Sequence, residues 1–108
     1  MKEQERIELL KQVAECAPKE MRAELNEWHG HSVQFSKPPA FGLTLRNDHV
    51  DAYAIVAMLD AMEALHAPVC LTWDGIYICS TLHHRGQGKT RAEAVARAFV
   101  KVFGKEKA

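Results

Sequence analysis

The residues best suited to chemistry form one run, His83-His84-Arg85-Gly86-Gln87-Gly88-Lys89-Thr90, which ends in Gly-Lys-Thr. A phosphate-cradling P-loop needs a further glycine five positions before its last one. That position is His83, so the motif fails. The preceding strand is also expected to be half of a hairpin, not a parallel strand feeding a crossover. What the run does offer is positive charge where a helix begins. Free N–H groups at a helix start attract anions, and Arg85, Lys89 and Arg91 crowd this one, with Tyr77 and His84 beside them. A phosphate, a nucleotide or a nucleic-acid backbone fits such a place. The alternative is a solvated loop before a capped helix.

Other chemistry is harder to assemble. His29 and His31 are two apart, His83 and His84 are adjacent, and Cys79 is near the second pair. Zinc needs three or four converging ligands, and adjacent residues on an extended chain point to opposite sides, so neither metal nor cofactor is expected. Ser32, Ser36 and Ser80 lie in no nucleophile elbow. Cys16, Cys70 and Cys79 are odd in number and have no CxxC pairing; apolar neighbours make Cys70 and Cys79 read as small buried hydrophobes. Asp48 and Asp51 open a helix, where carboxylates favour the dipole. No residue stands out as catalytic, and the chain reads as a binder, not an enzyme.

Charge is distributed unevenly. The 108 residues have no net charge and are 47% hydrophobic, which suits a single domain with a modest core. Residues 83–108, however, hold seven Lys/Arg against two Glu, whereas 1–28 hold five against seven and 29–82 two against five acids. A neutral chain with a basic end still attracts anions there. No apolar run is long enough to span a membrane, and MKEQERIELL lacks the pattern of a leader. A cytoplasmic location is expected.

The elements that must position these residues follow from periodicity. Residues 3–16 place Ile7, Leu10, Val13 and Ala14 at helical spacing. A second, short helix is expected from Pro18 to Gly30, presenting Met21, Leu25 and Trp28. In 31–48, His31 to Phe35 and Phe41 to Leu45 alternate weakly on either side of Pro38-Pro39, which denies a ladder its donors, so the segment reads as edge strands or an extended connection. Residues 49–66 make the strongest helix, started by Asn47 or Asp48, with Val50, Tyr53, Ala54, Ala57, Met58, Ala61, Met62 and Leu65 on its apolar face. Ile55, Val56 and Leu59 intrude into the polar half and need a second cover. Either the N-terminal helices supply it or a partner chain does, making these three the candidate interhelix or oligomer contact. Val69–Trp73 and Ile76–Ser80 form a hairpin about Asp74-Gly75. A last helix begins at Thr90 with a Thr90/Glu93 capping box, buries Ala94, Val95, Ala98, Phe99, Val102 and Phe103, and stops at Gly104, before a disordered tail at 105–108. The fold class is α+β: a helical N-terminal segment, then an α-β-β-α unit with a small antiparallel sheet packed on helices.

Two resemblances arise from residues 47–104. The ending Gly86-Gln-Gly-Lys-Thr-Arg-Ala-Glu-Ala-Val-Ala-Arg-Ala-Phe resembles the last helix of double-stranded RNA-binding domains, where basic residues at the helix start meet phosphates. Those domains run helix, three strands, helix; two strands are read here. A broader resemblance is to small phage and prophage proteins of the ABA-sandwich type, carried by Asp51-Ala-Tyr-Ala-Ile-Val through Leu65, Leu71-Thr-Trp-Asp-Gly and Thr90-Arg-Ala-Glu-Ala-Val-Ala-Arg-Ala. It implies an accessory protein acting inside an infected cell, of the anti-CRISPR-like kind that inhibits a host-defence protein or sequesters a nucleotide-type anionic signal. The expected partners are therefore a host protein or such an anion, with nucleic acid and a homo-oligomer as further possibilities and no membrane.

Overall fold

The computed structural model describes residues 1–27, 30–36, 41–66 and 68–104. Their elements run α1 (Glu3–Cys16), a 3-10 turn (Lys19–Met21), β1 (Ala23–Asn26), β2 (Ser32–Phe35), β3 (Phe41–Leu43), α2 (Ala52–His66), β4 (Cys70–Trp73), β5 (Tyr77–Ser80), β6 (Arg85–Gly88) and α3 (Arg91–Gly104). Two antiparallel sheets result, β1-β2-β3 and β4-β5-β6. The first packs on α1 and, through β3, on α2; the second packs on α3, which also contacts α1 and α2. The α+β class expected from the sequence is the class observed.

α1 keeps its expected bounds. The short helix expected next is replaced by the 3-10 turn and β1, and Arg22 makes the break by adopting φ 51°. Residues 23–26 then pair with 32–35, placing Leu25 opposite Val33, and β3 pairs on the far side of β2. Of the two readings of 31–48, strands are what forms, with β2 central and not at an edge: Val33, Phe35 and Leu43 point into the core and are buried. Helical spacing of Met21, Leu25 and Trp28 misled because three residues sample a period of 3.6 too thinly to exclude a strand. Trp28, His29 and Pro38-Pro39 lie outside the described residues, as does the tail at 105–108.

α2 begins three residues later than expected and is rolled about its axis. Its buried side chains are Ala54, Ile55, Met58 and Met62, while Val50, Tyr53, Val56 and Leu65 are exposed. The cause is Asp51, fully buried at the helix start, opposite its expected solvent-facing position. One carboxylate oxygen accepts Thr44 N at 2.7 Å and Thr44 Oγ1 at 2.9 Å, and the other accepts Leu45 N at 2.8 Å. Leu45 sits at φ 60°, a left-handed backbone that costs a non-glycine residue about 1–2 kcal/mol; the carboxylate and the buried Leu45 side chain hold it there. From the other side Arg6, also buried, donates Nη1 to the carbonyls of His31 and Thr44, both at 2.8 Å, and pairs with Glu3. A buried cation and a buried acid thus grip Thr44-Leu45 and join α1, the first sheet and α2.

The second sheet holds a strand the sequence did not reveal. The β4–β5 hairpin forms, with Gly75 at φ 71°, but Trp73 pairs with Tyr77, so its loop has three residues instead of two. The basic Gly-rich run, expected to be a turn, is β6: Tyr77, Ile78, Cys79 and Ser80 pair with Gly88, Gln87, Gly86 and Arg85. Residues 52–104 therefore run helix, three strands, helix. α3 buries every residue expected of it, and Ala92 and Ala96 besides, because it is covered by a sheet on one side and by helices on others.

Burial raises the Asp51 carboxyl above the ordinary aspartate pKa, against the pull of the Thr44 and Leu45 donors. Its folded form thus binds a proton that its unfolded form releases, so this residue adds stability as pH falls through that raised pKa and loses it as pH rises. Asp51→Asn leaves Leu45 N facing an NH2 group. Chemical denaturation at neutral pH is expected to show a loss of about 1–3 kcal/mol, and the gap to the natural chain is expected to widen on acidification.

Candidate functional site

The position of the functional side chains starts from two hydrogens. A Cβ on Gly86 would lie 2.4 Å from both Ala94 O and Ala98 N, and one on Gly88 would lie 2.8 Å from Ala94 N. Glycine at these two strand positions lets α3, itself alanine-faced, rest directly on β6. On β6, Arg85 and Gln87 alternate with the glycines and are exposed, with Lys89 two residues further on. On α3, Glu93, Arg97 and Lys101 follow at i, i+4 and i+8, on one face. The two rows line a shallow cleft of about 570 Å³, bounded also by Ile76 and Gly88.

Four cations and one acid line this cleft, and they are only partly neutralised. Arg97 Nε donates to Glu93 Oε2 at 3.1 Å, and Lys101 Nζ donates to the Arg85 carbonyl, tying the helix row to the strand row. Neither Arg85 nor Lys89 has a side-chain partner among the described residues. Each row is about 12–13 Å long, from eight helical steps or four strand steps. Held so close, like charges raise the local potential and favour an anion with charges spread along its length.

Of the two readings of the start of α3, an open anion site or a capped helix, the structure shows the capped helix. Asp48 caps it from 43 residues away: its carboxylate accepts Arg91 N at 3.0 Å and Ala92 N at 3.1 Å. Thr90 Oγ1 takes Glu93 N at 3.1 Å, which is the expected half of the capping box, while the Glu93 carboxylate turns to Arg97. With these donors occupied, the binding surface moves from the helix end to its flank. Arg91 turns away from the cleft. Its guanidinium lies 5.1 Å from the Tyr77 ring centroid and 3.8 Å from Asp48 Oδ2, and Tyr77 in turn packs against Trp73 with centroids 4.7 Å apart. His84 is half-buried in the bend before β6, its N–H on Thr81 Oγ1.

Of the expected site residues, then, Arg85 and Lys89 share the cleft, Arg91 and Tyr77 share an adjoining cluster, and His84 belongs to the bend. Gln87, Arg97 and Lys101 were missed. The i, i+4, i+8 row was visible, but it gains meaning only once 85–88 is a strand. The expected oligomer strip divides: Ile55 is buried within the chain, Leu59 packs partly against the core, and Val56 is exposed with Tyr53. α2 is covered by α3 and β3. A second, largely apolar hollow of about 770 Å³ lies between the end of α1 and α2, floored by Phe41, Ala61 and Phe103.

The thiols separate as well. Cys16 and Cys79 are buried and Cys70 is exposed, against expectation, on the outer face of β4. Burial, helped by neighbouring Cys70, pushes the Cys79 thiol up to about 11. Among the described residues no three His, Cys, Asp or Glu side chains converge as a metal site would require.

Gly86→Ala tests the approach of β6 and α3. The added methyl meets backbone on two sides, so overpacking is expected to cost about 1–3 kcal/mol or more, read as a lowered denaturation midpoint, whereas Gly75→Ala meets no atom and costs only the strain of its turn. No family model matches this chain, and no curated protein or solved structure is significantly similar to it.

Proposed function

We propose that this chain is a non-enzymatic binding protein that captures a phosphate-bearing anion along the cleft between β6 and α3. The observation that carries the reading is the paired row of Arg85, Lys89, Arg97 and Lys101, in which two side chains have no partner among the described residues. The cleft offers fixed positive charge and the Gln87 side-chain amide, and its lining holds no Ser, Thr, Cys or His to act as a nucleophile–base pair, which fits binding better than turnover. In a phage-type accessory protein, the role suggested by the sequence resemblance, such a cleft sequesters a nucleotide-type signal. That role agrees with the cleft better than antagonism of a host protein does, because its centre is charged, whereas protein interfaces are depleted of charge at theirs.

One observation favours a second reading. With β6 in place, residues 52–104 have the helix, three-strand, helix order of double-stranded RNA-binding domains. The basic residues that such a likeness would send to phosphates at the helix start are Lys89 and Arg91; Arg91 here is engaged by Asp48 and Tyr77, so the first reading stands ahead.

Inorganic triphosphate, a short single-stranded oligonucleotide and an RNA duplex separate these readings in one titration series. Phosphate contacts weaken steeply as salt rises. Arg85→Ala with Lys89→Ala is expected to lower triphosphate affinity at least tenfold (~1.4 kcal/mol) and to flatten the salt dependence, with thermal stability unchanged because both side chains are exposed. Duplex RNA bound far more tightly than the other two would favour the second reading, and no binding of any of the three would end both.

A further inference from the structure

We propose that Trp73 and Tyr77 form a stacking platform for a nucleobase at the Lys89 end of the cleft, so that the captured anion is a nucleoside phosphate. The inference rests on the anion-binding reading above and adds to it the class of the ligand.

Trp73 is 61% exposed, although tryptophan is on average a well-buried residue. Its position is nonetheless tightly built. Strand register puts it directly opposite Tyr77, on the same sheet face, with the rings 4.7 Å apart and tilted by 54°. Behind Tyr77 the Arg91 guanidinium lies 5.1 Å from the ring centroid, and Asp48 holds Arg91 while its carboxylate caps α3. A chain of contacts from a capped helix thus fixes the tyrosine, and the tyrosine supports an indole that is left mostly open.

Trp73 and Tyr77 project from the sheet face that α3 covers and Arg85 and Gln87 from the other, so platform and cleft meet only at the end of β6. Tyr77 pairs with Gly88 and follows Ile76 in the chain, and both Gly88 and Ile76 line the cleft. From Trp73 to Gly88 is two strand spacings, about 10 Å, and Lys89, with no side-chain partner among the described residues, comes next. A base lying on Trp73 therefore leaves its phosphates on the side of Lys89, the cleft residue at the turn into α3. Aromatic side chains beside a cationic track bind nucleotides by this division of labour: π-faces take bases of any sequence, and cations take phosphates. A protein partner would also value an exposed tryptophan, but the charge of the adjoining cleft selects a ligand that is aromatic at one end and polyanionic at the other.

The test uses the full chain with Trp28→Phe, which leaves Trp73 as the sole indole, titrated with adenosine triphosphate, inorganic triphosphate and a short single-stranded oligonucleotide. The proposal expects adenosine triphosphate to quench Trp73 emission and to bind about tenfold more tightly than inorganic triphosphate. Trp73→Leu is expected to abolish that difference while leaving inorganic triphosphate affinity unchanged, and Trp73→Phe to restore part of it. Equal affinity for the two triphosphates in the parent, or a Trp73→Leu loss equal for both, overturns the platform while the anion site survives. Binding of inorganic triphosphate by neither parent nor variant, in contrast, removes the anion site itself. The ratio of oligonucleotide to adenosine triphosphate affinity then tells a strand-bound nucleoside phosphate from a free one.

Discussion

The closeness of α3 to β6 is the constraint on which the rest of this molecule turns. Gly86 and Gly88 remove the two side chains that would hold the helix away, and Ala94 and Ala98 supply a flat helix surface to meet them. The immediate gain is a dry helix–sheet contact. The consequence for function is that an i, i+4, i+8 row on the helix and an alternating row on the strand end up side by side. Had larger residues stood at 86 and 88, the two rows would have been separated, and each would be an ordinary solvated face. Charge density at the cleft is thus set by packing, and packing is set by glycine.

A second constraint keeps this arrangement in register with the N-terminal half. Two carboxylates, three residues apart, perform different tasks in different directions. Asp51 turns inward and satisfies the backbone of Thr44 and Leu45; Asp48 reaches to a helix 43 residues away and satisfies its first amides. Buried polar groups are stable only when fully paired, and here the pairing locks α1, β3, α2 and α3 to a single short segment. That segment also positions Arg91, and through it Tyr77 and Trp73. The cap occupies the helix end that an anion would otherwise use, which is why the candidate surface runs along the flank of α3.

Much of this architecture was legible in the sequence. α1, the β4–β5 hairpin and α3 carry strong periodicity, a turn dipeptide or a cap, and each such signal is local. What escaped reading was decided by distant partners. β1 and β2 hold only four residues each, so residues 23–26 were read as helix and the weak alternation of residues 31–35 did not tell a strand from an extended loop. β6 is Arg-Gly-Gln-Gly, residues poor in strand propensity, and only the glycine-to-helix contact and the pairing to β5 make it a strand. The roll of α2 depends on a buried acid, which any hydrophobicity pattern assigns to solvent. At the site, Arg85, Lys89 and the Tyr77–Arg91 neighbourhood were visible from composition and spacing alone. Gln87, Arg97 and Lys101 joined them only when the third strand was known.

The central claim is that two rows of cations on β6 and α3 act as one anion-binding surface. Mapping amide chemical shifts while inorganic triphosphate is added reads this residue by residue. The account expects saturable shifts at residues 85, 87, 89, 97 and 101 together, with a common dissociation constant. Shifts confined to residues 90–92 at the capped helix start, or scattered over all the chain's lysines and arginines without saturation, would contradict it.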